Sequence, residues 1–344
     1  MQGPIRLFRY GWIGLALSAS AQIPPGYYDN AAGLSGDDLR TALYNIIKGH
    51  TVMSYSSLWS FFPTTDQRPD GFVWDVYSDL PGGVPAYLYA FGTDQCGTYN
   101  GEGDCYNREH SFPKSWFNDG QPMESDLHHI YPTDAWVNQK RGNHPFGEVG
   151  SPDWVGTNGT KVGMNVFPGY GGTVFEPIDA YKGDLARTYF YMLTRYEPFI
   201  QNWSSPMLQF DDLTTWAEAM LLQWHLDDPV SGKEEDRNNA IYGIQNNRNP
   251  FIDHPEWAEF IWGPTATIQE MPQPQWQVIS REEGIWIAHP DLNEGVVEVF
   301  DPAGRRVLGF AWNGSSRTVR LPDQGVWTLI LRSSSSVEVR RIVR

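Results

Sequence analysis

Apolar residues recur at three- and four-residue spacings in five stretches of the chain before residue 264. These are Asp37 to Lys48, opened by Ser35, then Lys182 to Tyr196, Leu213 to Trp224, Glu234 to Gln245 and His254 to Trp262. In the second, Leu185, Tyr189, Met192 and Leu193 share one side, the spacing of an amphipathic helix. The pattern then changes. Pro264, Pro272 and Pro274 punctuate a linker over 264–275, and beyond it the runs are short and alternating. They are Val296-Val297-Glu298-Val299, Arg306 to Phe310, Thr318 to Leu321, Val326 to Leu331 and Val337 to Val343. Asp301-Pro302-Ala303-Gly304 and Asp323-Gln324-Gly325 read as turns between strands. The expectation is an α+β chain, with a mainly helical domain over 22–263 and a small all-β, sandwich-like domain over 276–344.

Composition narrows the choice. Of 344 residues 40% are hydrophobic and 19% charged, enough for a packed core and inconsistent with wholesale disorder. The 15 Trp fit a large aromatic interior. Lys+Arg number 25 against 41 Asp+Glu, for a net charge of −16. The excess is confined to one part: residues 275–344 hold nine Lys/Arg and eight Asp/Glu, residues 1–274 hold 16 and 33. A broad basic face for gripping nucleic acid is therefore excluded, but a site that holds a few phosphates through a metal ion is not.

Residues 1–21 have the build of a secretory signal: Arg6 and Arg9, an apolar run from Gly11 to Leu17, then Ala19-Ser20-Ala21. No segment is long and apolar enough to span a bilayer. Secretion gives the two cysteines a meaning, since a thiol pair outside the cytoplasm oxidises. Cys96 and Cys105 flank a Gly-rich loop, so a disulfide is expected just before Asn107, with a reduced structural pair as the alternative. Two cysteines also rule out a disulfide-scaffold domain and a four-thiolate zinc site.

The chemistry concentrates in CYNREHSFPKSW…MESDLHHIYPTDAWVNQKRGN. Arg108, Glu109 and His110 are contiguous, Glu124, Asp126, His128 and His129 follow, and Asn138, Lys140, Arg141 and Asn143 close the segment. Imidazole, carboxylate and carboxamide among cations suit phosphodiester hydrolysis, which needs a base for water, a cation on the developing charge, and positive groups for the substrate. Thr133 or Asp134 can cap a short helix from Ala135 to Arg141 that Gly142 stops. On it Asp134, Asn138 and Arg141 stand at i, i+4 and i+7, one polar stripe. Extended segments around His110 and His128 would complete a strand–strand–helix unit. Glu109 and His110, adjacent in a strand, can serve one site only if the backbone bends near them, for which Pro113 is the candidate. Pro63, Pro81 and Pro85 bracket a loop-rich stretch read as a groove wall.

NREHSFPKSWF followed by DLHHIYPTDAWVNQKRGN resembles the bacterial endonuclease I family, secreted or periplasmic nucleases built on a ββα-metal (His-Me) finger. GLSGDDLRTALYNIIKGH, YKGDLARTYFYM and RNNAIYGIQNNRNPFIDHPEWAEFIW extend the resemblance over residues 24–263. GVVEVFDPAGRRV and GVWTLILRSSSSVEVRRIVR resemble a type IX secretion sorting domain, so the partners implied are a nucleic acid substrate and a secretion machinery. The resemblance implies His110 as general base, with Glu124 holding its ring and His128 just behind them. It implies Glu109 and Asn138 as ligands of one Mg²⁺, with Mn²⁺ or Ca²⁺ as alternatives, and Arg108, Lys114 and Arg141 as substrate contacts. The family's arginine in the loop between the motif halves has no counterpart between Arg108 and Arg141. The activity implied is cleavage of DNA and RNA to 5′-phosphate ends by a monomer, outside the cell or on its surface after passage through the periplasm. A phosphodiesterase for a smaller substrate and a non-catalytic surface-binding protein are the alternatives.

Overall fold

A computed structural model describes residues 23–263, 276–281, 284–288, 295–313, 316–321, 325–332 and 337–343. The segment read as a secretory signal and the Pro-rich linker lie outside the described residues. The chain divides into two compact units between Pro264 and Thr265.

The first unit opens with α1 (Gly36–Ile47) and α2 (Leu58–Thr65), followed by the hairpin β1 (Tyr106–His110) and β2 (Ile130–Asp134), with α3 (Ala135–Arg141) directly after it. An antiparallel sheet comes next: β3 (Val149–Val155), β4 (Lys161–Asn165) and β5 (Thr173–Glu176). Then follow α4 (Lys182–Arg195), a two-residue ladder of β6 (Leu208–Gln209) with β7 (Asp212–Leu213), α5 (Thr215–Asp227), α6 (Gly232–Gln245), α7 (Pro250–Asp253) and α8 (Glu256–Trp262). Every residue of α4 is buried, and α1 and α5 pack against it. Its apolar face does what the spacing predicts: Leu185, Tyr189, Met192 and Leu193 join Phe112, Phe146, Phe175 and Trp224 in one core. α6 starts where a capping box sets it, Ser231 and Glu234 each bonding the other's backbone N–H.

Three features depart from the sequence reading. α2 forms around Pro63, expected in a loop; proline in the last turn of a short helix forgoes little, because Leu58 and Phe62 anchor it in a core with Tyr106 and Ile130. The β3–β5 sheet carries no clean alternation, since β3 contains Pro152 and its register to β4 shifts twice. His128 lies in a 3₁₀ turn (Leu127–His129) rather than in a strand, because the Asp126 side chain accepts the His128 N–H at 3.1 Å and turns the chain before β2 begins.

The second unit has two antiparallel sheets. β8 (Gln277–Arg281), β9 (Gly284–Ala288) and β12 (Arg317–Val319) form one, in order β12-β9-β8. β10 (Gly295–Phe300), β11 (Arg306–Trp312), β13 (Val326–Arg332) and β14 (Val337–Val343) form the other, in order β11-β10-β13-β14. Ile285, Ile287 and Val319 from the first pack on Val297, Val299, Leu329 and Leu331 from the second, so the alternate positions close a sandwich core.

Candidate active site

The strand–strand–helix unit is pinned at its base. β1 and β2 run antiparallel in register from Tyr106 opposite Asp134 to His110 opposite Ile130. Asp134 ends β2 and caps α3, its Oδ1 accepting the Val137 N–H at 2.8 Å, while its Oδ2 accepts from the Tyr89 hydroxyl at 2.5 Å and the Gly103 N–H at 2.7 Å. Cys96 and Cys105 are disulfide-bonded, and the backbone carbonyl of Cys105 accepts from the first residue of α3 at 2.9 Å. One covalent loop thus ties the entry of β1 to the start of the helix that carries Asn138.

A cleft of about 400 Å³ lies over this unit, lined by Arg108, Glu109, His110, Lys114, Asn138, Arg141 and Asn143, with Tyr55 at one side. Glu109 and His110 share it although successive strand residues face opposite ways, because His110 is the last residue of β1 and the chain leaves the strand before Pro113. Glu109 is 3% exposed. The Tyr77 hydroxyl donates to its Oε1 at 2.8 Å and the Arg141 guanidinium stands 3.1 Å from the same oxygen. Burial pushes the carboxyl up to about 7 against the pull of Arg141. Both of these partners, Tyr77 and Arg141, meet Oε1, and the carboxylate also takes a hydrogen bond from the backbone of His110. Asn138 donates from Nδ2 to Asn107 Oδ1 at 2.7 Å, which leaves its own carbonyl oxygen open. The Glu109 carboxylate and the Asn138 amide oxygen line the same cleft as hard donors, and they fit a divalent cation that keeps most of its positions for water or substrate. Among the described residues no three His, Cys, Asp or Glu side chains group to make a closed cage.

His110 is held from two sides. Its Nε2 lies 3.0 Å from the backbone carbonyl of Glu124, so Nε2 carries the proton and donates, and Nδ1 keeps the lone pair. Its ring stacks on Tyr55, centroids 5.6 Å apart. Burial, then the ring of His129, pull His110 down to about 3, so it is neutral at any ordinary pH. Glu124 acts through its backbone; its carboxylate accepts instead from Gln121 at 2.7 Å.

The remaining expected residues divide. Arg108 lines the cleft with its guanidinium 3.7 Å over the Tyr55 ring and Nη1 donating to the Tyr55 carbonyl at 2.6 Å. Lys114 is half-exposed at the rim and pairs with Asp119 at 2.8 Å. Arg141, expected as a substrate contact, lines the cleft but is 1% exposed and is engaged within the protein: it donates to the carbonyls of His110 at 3.0 Å and Ser111 at 2.5 Å besides pairing with Glu109. It secures the bend after β1. His128, expected behind His110 and Glu124, does not line the cleft; its Nε2 meets the Asn247 carbonyl at 3.3 Å and its ring packs on Tyr191. Tyr55 and Tyr77 are the residues the sequence did not single out. No motif marks them, since each reaches the site from a distant segment of chain.

What the cleft can do is take a proton from water beside donors for a hard cation, which puts the protein among the enzymes that hydrolyse phosphodiester bonds. The family model described as endonuclease I matches residues 35–256, and the chain belongs to that family. It is 38% identical over 264 residues to an extracellular ribonuclease of Bacillus subtilis (strain 168), covering 72% of this chain and 84% of the relative. An extracellular ribonuclease of Bacillus amyloliquefaciens is 39% identical over 260 residues, 71% of this chain and 82% of the relative. An extracellular deoxyribonuclease of Aeromonas hydrophila is 28% identical over 132 residues, 38% of this chain and 50% of the relative. Nucleases of this family are generally dependent on a divalent metal.

Proposed function

We propose that this chain is a secreted, metal-dependent endonuclease that cuts DNA and RNA without base specificity, as a monomer, and leaves 5′-phosphate ends. The observation that carries the reading is the hydrogen bond from His110 Nε2 to the Glu124 carbonyl, in the cleft that Glu109 and Asn138 also line. It fixes the tautomer with Nδ1 as acceptor, which is what a general base needs. His110 takes the proton of the attacking water, and Tyr55 and the Glu124 carbonyl keep its ring from turning. Glu109 and Asn138 hold one divalent ion, Mg²⁺ or another of its kind. What such an ion supplies is stabilisation of the charge that builds on the phosphoryl group and the departing 3′ oxygen. Arg141 pulls Glu109 toward its ionised form against burial and aims it; Arg108 and Lys114 meet the phosphates. Relatives named for ribonuclease and for deoxyribonuclease activity support both substrates, and their extracellular designation agrees with a signal at residues 1–21.

The β unit is an export handle of the type IX kind rather than part of the site, a reading supported by a core confined to its own strands. The test of the whole is nicking of supercoiled plasmid by purified residues 22–344. Cleavage that needs Mg²⁺ or Mn²⁺, stops with EDTA and falls by a factor of ~10³ in His110→Ala is expected. Folded protein that nicks under no divalent ion would overturn the endonuclease reading in favour of a smaller phosphodiester substrate.

A further inference from the structure

Beside the catalytic cleft lies a second, larger groove of about 770 Å³ that shares Ser115 and Asn143 with it. The two differ in kind. The cleft presents Arg108, Glu109 and Lys114, whereas no Asp, Glu, Lys or Arg lines the groove. Its wall is made of neutral hydrogen-bonding side chains and a flat ring: Ser115, Asn143, His144, Thr173 and Ser204, with Tyr170.

Tyr170 is built into place. Its ring lies parallel to Trp216, centroids 4.8 Å apart and planes 11° from parallel, so one face is backed by the indole, and the residue lines the groove. Asn165 Nδ2 donates to the carbonyls of Phe167 at 2.9 Å and Tyr170 at 2.7 Å and so fixes the loop between β4 and β5. Gly169 sits at φ +104° where a Cβ would come within 2.7 Å of the Trp216 Cβ, and a side chain at Gly172 would run into the Tyr170 hydroxyl. The run FPGYGG is thus a cradle that presses one aromatic ring against an indole. Among the described residues the side chains of Ser115, Asn143, Thr173 and Ser204 make no hydrogen bond within the protein, and their donors and acceptors are unspent.

We propose that this groove is a nucleoside subsite, which takes the base next to the scissile phosphate onto the ring of Tyr170 and its sugar and base edges onto the neutral hydroxyl and amide groups. The inference rests on the nuclease reading and deepens it. It accounts for how a domain with 16 Lys/Arg and 33 Asp/Glu before residue 275 can hold a polyanion: the phosphate is met at two cations in the cleft, and the rest of the grip is stacking, which every base offers and charge does not oppose. Stacking on a side chain requires a base out of its helix, so unpaired strands are the preferred substrate.

The test uses the full mature chain with Mg²⁺ and an end-labelled single-stranded oligonucleotide carrying one abasic residue, against the same strand with the base present. Wild-type enzyme is expected to cut one of the two phosphates flanking the abasic residue about 10-fold less than its counterpart in the intact strand, the loss of one stacked base. Tyr170→Ala should abolish that difference, and Tyr170→Trp should retain it. A wild-type ladder indifferent to the missing base, or the same dip in Tyr170→Ala, would overturn the subsite. Folded wild-type enzyme that cuts neither strand would overturn the nuclease reading beneath it, which is a different outcome in the same gel.

Discussion

The C-terminal unit buries Ile285, Ile287, Val297, Val299, Leu329 and Leu331 at alternate strand positions, and among its described residues the buried charge is confined to Asp301 at a turn. The nuclease unit buries ion pairs throughout: Glu109 with Arg141 at 3.1 Å, Arg187 with Glu234 at 2.5 Å, Arg237 with Asp66 at 2.8 Å and Arg248 with Asp253 at 2.6 Å. A buried pair adds little net stability, because its desolvation cancels most of its attraction, but it tolerates the loss of neither partner. The contrast separates two purposes of a core. An apolar one holds strands together and accepts any residues of the right size; a polar one fixes where particular groups stand. Among the described residues, the second kind is found in the unit with chemistry to perform.

The pair under the active site should show this most strongly. Arg141→Met leaves the Glu109 carboxylate buried without its cation, and the expected cost is about 3–5 kcal/mol, read as a lower unfolding midpoint by calorimetry. Cleavage should fall ~100-fold as well, since the carbonyls of His110 and Ser111 lose the donor that sets the bend carrying His110, the proposed base. Adding Glu109→Gln should restore part of the stability and none of the activity. An Arg141→Met enzyme that is stable and active would show that the guanidinium does not organise the site.

The matching cut in the apolar unit is Leu329→Ala, fully buried in the sandwich. It should cost that unit about 2–4 kcal/mol and leave the rate of plasmid cleavage where it was. Loss of cleavage from this substitution would mean that the β unit contributes to the site after all.

Acid should separate the two units next. Burial, then Arg187, pull His225 down to about 4 from 6.5, so the unfolded chain takes up a proton that the folded one refuses until near pH 4. The contribution of His225 is complete above pH 6.5 and is lost as the pH falls from 6.5 to 4, by up to about 3 kcal/mol. Asp75 and Glu234, pushed up to about 7 by burial, act in the opposite sense, their contribution fading as the pH rises toward 7. The measurement is therefore a difference: wild type should lose more stability than His225→Gln between pH 7 and 4. Parallel curves would remove His225 from the account. The described residues of the C-terminal unit include no histidine that could produce the same slope.

How much of this the sequence disclosed follows the same division. Alternation is a local property, and Val297 and Val299 or Leu329 and Leu331 announce their strands without reference to anything distant. β8 and β9 were still missed, being short strands next to a Pro-rich stretch. In the nuclease unit the helices were legible wherever one face was apolar, as in α1 and α4, and so was the unit of β1, β2 and α3, whose capping and stop residues sit in sequence beside it. The polar stripe of Asp134, Asn138 and Arg141 was also real as spacing, but spacing cannot tell which of three polar groups faces substrate. Asp134 caps the helix, Asn138 and Arg141 both reach the cleft, and Arg141 is almost wholly buried there against Glu109. Tyr55 and Tyr77 are the extreme case. Their contacts to His110 and Glu109 exist only once the chain has folded, so no pattern of neighbours could mark them.

The smallest effect belongs to the residue that belongs to neither core. Lys114 stands at the cleft rim, half-exposed, and its partner Asp119 is more exposed still. An exposed pair of this kind contributes little to stability, and the unfolding midpoint of Lys114→Ala should be unchanged within error. A phosphate arriving at the rim replaces one carboxylate partner with another anion, so the gain from Lys114 is small and screened by salt. Lys114→Ala should raise KM for a single-stranded oligonucleotide about 2- to 3-fold and lower the slope of log KM against log salt by about 0.7, the value for one phosphate contact on a single strand. The slope is the sharper readout, because a structural lysine would change KM without changing it. If the slope stays the same, the phosphate contacts at this cleft reduce to Arg108, and the neutral groove beside it carries still more of the grip.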